Sequence, residues 1–299
     1  MEGNNINLHG AHDLLSGFDG TGGGNAKGNA TRRKANTSHL IADPAQRQLR
    51  AEEKRRLILP FLRDEIWTNT EVAAELLGIG YAGAHSVLKS MQKLGLTTSS
   101  ERFIPSTRGS VKTVLHGITS QGLAYAWDLN EEPERCSPWE PSKTNPLFVP
   151  HQIATQKTRI KAEQLGWQNW KPARSLMRIG LPKVPDGEAL SPDSQCVAIE
   201  VEREIKTDRR YEAVVGAYIA HIKTDQRWAR VDYLCPDGNF AARLARIFGR
   251  LSQLRLEGKA GQETKTGAVT QAHLVRFRFY SLTDWPDGDF VAAKLKVKE

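Results

Sequence analysis

The feature that most constrains this chain is a short acidic strand that runs into a basic helix start. It reads Val197-Ala198-Ile199-Glu200-Val201-Glu202-Arg203-Glu204-Ile205-Lys206, with Arg209-Arg210-Tyr211 just beyond. Alternate side chains of a strand point to opposite sides. Val197, Ile199 and Val201 therefore share an apolar face, and Glu200, Glu202 and Glu204 share the other. The apolar face belongs in a core. The acidic face either meets solvent at a sheet edge or lines a site.

The neighbours favour a site. Pro185-Asp186 precedes the strand and Lys206 follows it. Two or three carboxylates and a lysine suit metal-assisted phosphodiester cleavage. Mg2+ takes oxygen ligands and keeps several waters. It acidifies a bound water and offsets charge on the phosphate. A lysine nearby stabilises the phosphorane oxygens or orients the water. The expected cofactor is accordingly Mg2+ or Mn2+.

Composition narrows the partners. The chain has 299 residues and a net charge of +8, with a pI near 9.4. That length accommodates two domains. The charge points to nucleic acid first, with acidic proteins or membrane surfaces as the other possibilities. No run approaches the ~18 apolar residues of a membrane span, and the N-terminus lacks the apolar core of a signal peptide. Cys136, Cys196 and Cys235 have no metal-ligand spacing. They read as reduced thiols of a cytoplasmic protein, without a zinc site.

Four segments follow from composition and periodicity. Residues 1–45 are rich in Gly, Asn, Ser and Thr and read as a disordered tail. Lys27 and Arg32-Arg33-Lys34 make the tail basic. Its glycine run is no phosphate loop, because no Gly-Lys-Ser/Thr opens a helix after it. Residues 46–130 read as a winged helix-turn-helix. One helix lies near 55–62, a second is capped by Thr70, and a third covers about 81–94 before Gly95. Strands near 103–105 and 113–118 follow, joined by the basic loop 107–112, and a helix begins at Ser120. In such a fold the third helix enters the major groove and the loop contacts the backbone. His85, Ser86, Lys89 and Lys93 on that helix, with Arg108 and Lys112 of the loop, are the expected DNA contacts. The same fold also serves protein contacts.

Residues 131–150 read as a linker in which Trp139 is a possible anchor. Beyond them strands alternate with helices, which argues for an α/β domain with a mixed sheet over 151–299. Expected pieces are a helix at 151–165, a strand at 196–203 and a helix at 207–222 with Lys206 and Arg210 on one face. A strand at 230–235, a basic helix at 239–255, a surface loop at 258–267 and a strand at 274–280 complete it. The fold class is thus α+β, in two domains.

Pro185-Asp186, Glu200-Val201-Glu202 and Lys206 resemble the PD-(D/E)xK restriction-endonuclease-like superfamily. With Arg210-Tyr211 and the upstream winged helix, the chain is similar to MobC-type relaxases of mobilisable plasmids, grouped with replication-relaxation proteins. The resemblance spans roughly residues 50–285. It implies a metal-dependent endonuclease that nicks double-stranded DNA at a transfer origin, with a relaxosome accessory protein and a coupling protein as partners. Asp186, Glu200 and Glu202 would form the metal and catalytic set. Glu202 stands where the superfamily usually has lysine, and Lys206 takes that role from a displaced position. Arg210 would clamp phosphate. Tyr211 is expected in a structural or DNA-contact role, with a covalent nucleophile as the other option. His151 and Glu163 lie on a helix that can add a further site residue. Two rival classes stand beside this one: a noncatalytic DNA-binding regulator with a degenerate nuclease domain, and a nuclease outside conjugation.

Overall fold

Asp43 and Pro44 open the first described element. The computed structural model describes residues 43–106, 109–128, 130–133, 136–181, 183–224, 226–256 and 265–296. The expected tail and Arg108 lie outside these residues, apart from 43–45. The Asp43 side chain accepts from the Ala45 N–H at 2.9 Å, and Pro44 takes the first helical position, where a missing N–H costs nothing. Helix α1 therefore runs Pro44–Glu65, well upstream of the expected start.

Strand β1 (Trp67–Asn69), α2 (Thr70–Leu77) and α3 (Tyr81–Lys93) follow. The cap of α2 is Asn69, whose Oδ1 accepts from Val72 N–H at 2.8 Å; Thr70 is already helical, which corrects the expected cap. Strands β2 (Thr97–Ser106) and β3 (Gly109–Ile118) form a hairpin about twice as long as its apolar stretches suggested. Their sheet has the order β1-β3-β2. Pro105 is tolerated because β2 is an edge strand. A short α4 (Ser120–Ala124) closes this half.

The stretch expected as a linker is packed in. Trp139 N–H donates to Ile118 O at 2.8 Å, and its indole covers Gly117. A Cβ on Gly117 would lie 2.2 Å from that ring, so only glycine admits the contact. Trp139 joins Trp67, Ile104, Leu115 and Val149 in one cluster. Residues 43–299 form one compact unit.

Helix α5 (Val149–Gln164) is shared by both halves. Toward the hairpin half, Gln156 donates to Trp67 O at 2.7 Å and accepts from Thr68 Oγ1 at 3.0 Å, while Ile160 packs on Phe61 and Val72. On its other side, Ala162 packs against the large sheet. That sheet contains β4 (Gln168–Pro172), β5 (Gly187–Leu190), β6 (Cys196–Val201) and β7 (Arg230–Cys235). It also holds β10 (Phe277–Ser281) and β11 (Val291–Ala292). The order is β11-β10-β7-β6-β5-β4. Pairs β4–β5, β5–β6 and β10–β11 are antiparallel, and β6–β7 and β7–β10 are parallel. The fold is α+β with a mixed sheet.

Between the strands lie α6 (Ala173–Met177), α7 (Asp208–Thr224), α8 (Gly238–Arg250) and α9 (Gln271–Leu274). Helices α7 and α8 bury Tyr211, Val215, Tyr218, Leu244 and Phe248 against Ala198, Val231, Tyr233 and Phe277. The opposite sheet face buries Val197, Ile199, Val201 and Leu234 with Trp167, Trp170 and Trp285. Both faces of the central strands are covered, as parallel sheets require. The expected helix 239–255 ends early. Beyond Leu251 the chain is extended as β8 (Gln253–Leu256), which pairs with β9 (Lys265–Ala268) inside the expected loop.

Candidate active site

The end of β6 sits in the middle of the sheet, so its acidic face meets α7 rather than solvent. This settles the choice between edge strand and buried face. Glu200 and Glu202 are buried. Glu204 lies beyond the strand, which stops at Val201, and is exposed.

Asp186 directly precedes β5, the antiparallel neighbour of β6. Gly187 is needed beside it, because a Cβ there would lie 2.4 Å from the Trp170 ring. With β5 seated this closely, Asp186 Oδ2 accepts from Val201 N–H at 2.8 Å. Its Oδ1 meets His151 Nε2 at 3.0 Å. His151 stands in the first turn of α5, so three elements converge on one carboxylate. Burial pushes Asp186 upward, but the His151 hydrogen bond and charge, the Val201 N–H and Lys183 outweigh it and hold the carboxyl below its usual range. His151 is raised in turn, chiefly by its bond to Asp186, against the opposing effect of burial.

Glu200 has the opposite shift. Burial raises it first, and the Asp186 charge raises it further. Lys183 Nζ at 2.5 Å and the Tyr218 hydroxyl partly offset this. Two neighbouring carboxylates, Glu200 buried and Asp186 half-buried, favour a cation between them. Lys183 was not identified from sequence. Its signal was weak: a lysine three residues before the Pro-Asp aspartate, in a loop of no clear periodicity.

Glu202 is engaged differently. Its Oε2 accepts from Lys206 Nζ at 2.7 Å and from the Tyr211 hydroxyl at 3.2 Å. Lys206 does not share a helix face with Arg210, because α7 begins only at Asp208. The turn before the helix aims the lysine back at Glu202 instead. Tyr211 is 1% exposed, and its oxygen also accepts from the Lys206 N–H at 3.1 Å. Burial, then the Glu202 charge, push its ionisation far upward. A phenol held in this way is poorly placed to attack phosphorus. Arg210 is exposed in the first turn of α7. Glu163 lies elsewhere: its Oε1 accepts from Arg159 Nε at 2.8 Å.

Among the described residues, no group of three or more His, Cys, Asp or Glu side chains is gathered closely enough to hold a metal ion. The Asp186 charge raises Glu200, whereas Glu202 is tied to Lys206 and Tyr211. This donor set suits a hard ion that keeps most of its waters and takes only one or two carboxylates.

The expected DNA-contact residues lie in the other half. Ser86, Lys89 and Lys93 are exposed on α3, and His85 is half-buried. Lys112 on β3 is exposed and pairs with Glu101 at 2.8 Å. Beneath them His116 is buried and lowered to about 4, first by burial and then by the charge of His85.

No family model and no curated protein matches this chain. One solved structure is similar in part: a mutant of Lactococcus lactis ZitR in its apo form. The match is 26% identical with a TM-score of 0.21, and covers 27% of this chain and 58% of that one. No helix among the described residues is long and apolar enough to cross a membrane.

Proposed function

We propose that this chain is a metal-dependent DNA endonuclease that nicks one strand, in the manner of the plasmid relaxases its motifs resemble. The observation that carries the reading is the juxtaposition of Asp186 and Glu200: the Val201 N–H holds the half-buried Asp186 carboxylate beside the strand that carries the buried Glu200, and the Asp186 charge raises Glu200. They would hold Mg2+ or Mn2+, with waters filling the remaining positions. Such an ion supplies an acidified water and charge neutralisation at phosphorus. His151 holds the Asp186 carboxylate in place. Glu202 orients Lys206 toward the same end of the strand, where the ammonium can meet phosphate oxygens.

The helices and long hairpin of the first half would act as a winged helix on duplex DNA. Lys89 and Lys93 would face the groove and Lys112 the backbone. The order helix, three antiparallel strands, crossover helix and parallel strand supports a restriction-endonuclease-like second half. At a transfer origin the protein would work with a relaxosome accessory protein and a coupling protein.

A second reading is a noncatalytic DNA-binding regulator. It is favoured by the lysines, which already neutralise Glu200 and Glu202. Calorimetric titration with Mn2+ separates the two. Saturable binding that is lost in Asp186→Asn and in Glu200→Gln supports the nuclease. Salt-sensitive DNA binding with no metal uptake supports the regulator.

A further inference from the structure

Helix α8 turns a row of arginines outward beside Lys206. Its inner face is set by Ala241, Leu244, Ala245, Ile247 and Phe248, all buried. Arg243, Arg246 and Arg250 fall at intervals of three and four, so they share the opposite face, and all three are exposed. Together with Lys206, Ile205, Ile247 and Asp208 they line a cavity of about 250 Å³. Asp208 is its carboxylate, and it pairs with Arg250 at 2.9 and 3.1 Å. That fork fixes Arg250 in place. Among the described residues, Arg243 forms no ion pair with a carboxylate and Arg246 reaches only Ala242 O, at 3.4 Å.

We infer that this face is a track for the sugar-phosphate backbone of DNA, delivering the strand to the carboxylates past Lys206. The inference rests on the nucleic-acid reading above and names a second surface for it. Charge identifies the occupant. Lys206 is matched by Glu202 and Arg250 by Asp208, whereas Arg243 and Arg246 face no described carboxylate, an imbalance of two positive charges side by side that calls for consecutive negative charges. Seven residues of helix rise about 10 Å, and phosphates of one strand advance about 3.4 Å along the duplex axis. The row therefore spans about three phosphates, more than a single free anion would use. Arginine suits this role because its planar fork binds two phosphate oxygens at once. Lys206 belongs to both the cavity and the Glu202 pair, so a phosphate held here neighbours the one to be cut.

The test uses the full chain and a fluorescein-labelled DNA duplex, with anisotropy read across a salt series. Arg243→Gln/Arg246→Gln is compared with wild type and with Asp186→Asn. Both arginines are exposed, and a melting curve checks that the double variant stays folded. Each phosphate contact adds about 0.9 to the slope of log affinity against log salt. The double variant should lower that slope by about two and weaken binding at least tenfold, while Asp186→Asn keeps the wild-type slope and loses cutting. An unchanged slope in the double variant overturns the track but leaves the nuclease standing. Wild type that binds no DNA overturns both. Polyglutamate binding that needs these arginines, with no arginine effect on DNA, replaces the track with an acidic-protein surface.

Discussion

Two ion clusters in this molecule use similar residues to different ends. At the junction of the halves, Arg159 is 9% exposed and gives each guanidinium nitrogen its own carboxylate. Nε bonds Glu163 at 2.8 Å, Nη1 bonds Glu65 at 3.1 Å and Nη2 bonds Asp64 at 2.9 Å. At the strand end, the Asp186 charge raises Glu200, and the nearby cations are two lysines and, when protonated, His151. Lys183 is 25% and Lys206 41% exposed. A rigid fork locks three partners, whereas an ammonium on a flexible stem can swing into water. The first cluster is a clamp. The second is a place where another cation can enter.

The contrast breaks most visibly at Arg159. Arg159→Ala leaves Glu65 buried without its cation, and burial already raises that carboxyl. Stability should fall by about 3–5 kcal/mol, read as a lower midpoint in urea. A loss under 1 kcal/mol would remove the clamp.

Glu200→Gln should behave oppositely. Neutralising the residue removes its repulsion with Asp186, and Lys183 rehydrates at the surface. The isosteric amide can still accept from the Tyr218 hydroxyl, so the loss of stability should stay within about 1.5 kcal/mol, the net worth of one hydrogen bond, while strand cutting falls at least about a hundredfold. A large loss of stability would make Glu200 structural.

Much of this arrangement was legible in sequence, and the parts that were not have physical reasons. Helix α3, strand β7 and the acidic strand stand out because their periodicity is clean. Asp43-Pro44 is a cap signal, but it sits at the edge of a polar stretch. The end of α8 was hidden because Leu251 and Leu254 continue its three-residue spacing into extended chain. What bends the chain there is tertiary: Gly216 on α7 lets Arg255 O approach to 2.3 Å of where a Cβ would stand. The Asp186–Val201 and Asp186–His151 bonds were likewise set by tertiary packing across 15 and 35 residues, as was the Lys183–Glu200 pair, and no local pattern encodes them.

Tyr211→Phe sharpens the chemistry. It removes the hydrogen bond to Glu202 and the acceptor of Lys206 N–H, at a cost of about 1 kcal/mol. Cutting should persist within roughly tenfold. Complete loss, with a protein–DNA adduct trapped by wild type, would make the tyrosine a nucleophile.

The smallest effect concerns pH. His151 has an ordinary value of 6.5 and is raised. Its contribution to stability is full below 6.5 and is lost as pH rises through the raised value. Asp186 has an ordinary value of 3.8 and is lowered. Its contribution is full above 3.8 and is lost as pH falls through the lowered value. His151→Ala should therefore cost most between these limits, about 1 kcal/mol for a partly exposed pair. The cost should shrink in alkaline and strongly acid solution. A cost that does not vary with pH would rule out the ion pair.

The most direct measurement is nicking of a supercoiled plasmid carrying the cognate transfer origin, with Mg2+ or Mn2+, by wild type, Asp186→Asn and Glu200→Gln. The account predicts origin-dependent open-circle product from wild type that chelator and both substitutions abolish. Wild type that binds the origin in a salt-sensitive way but leaves it supercoiled, or variants that nick as well as wild type, would contradict it.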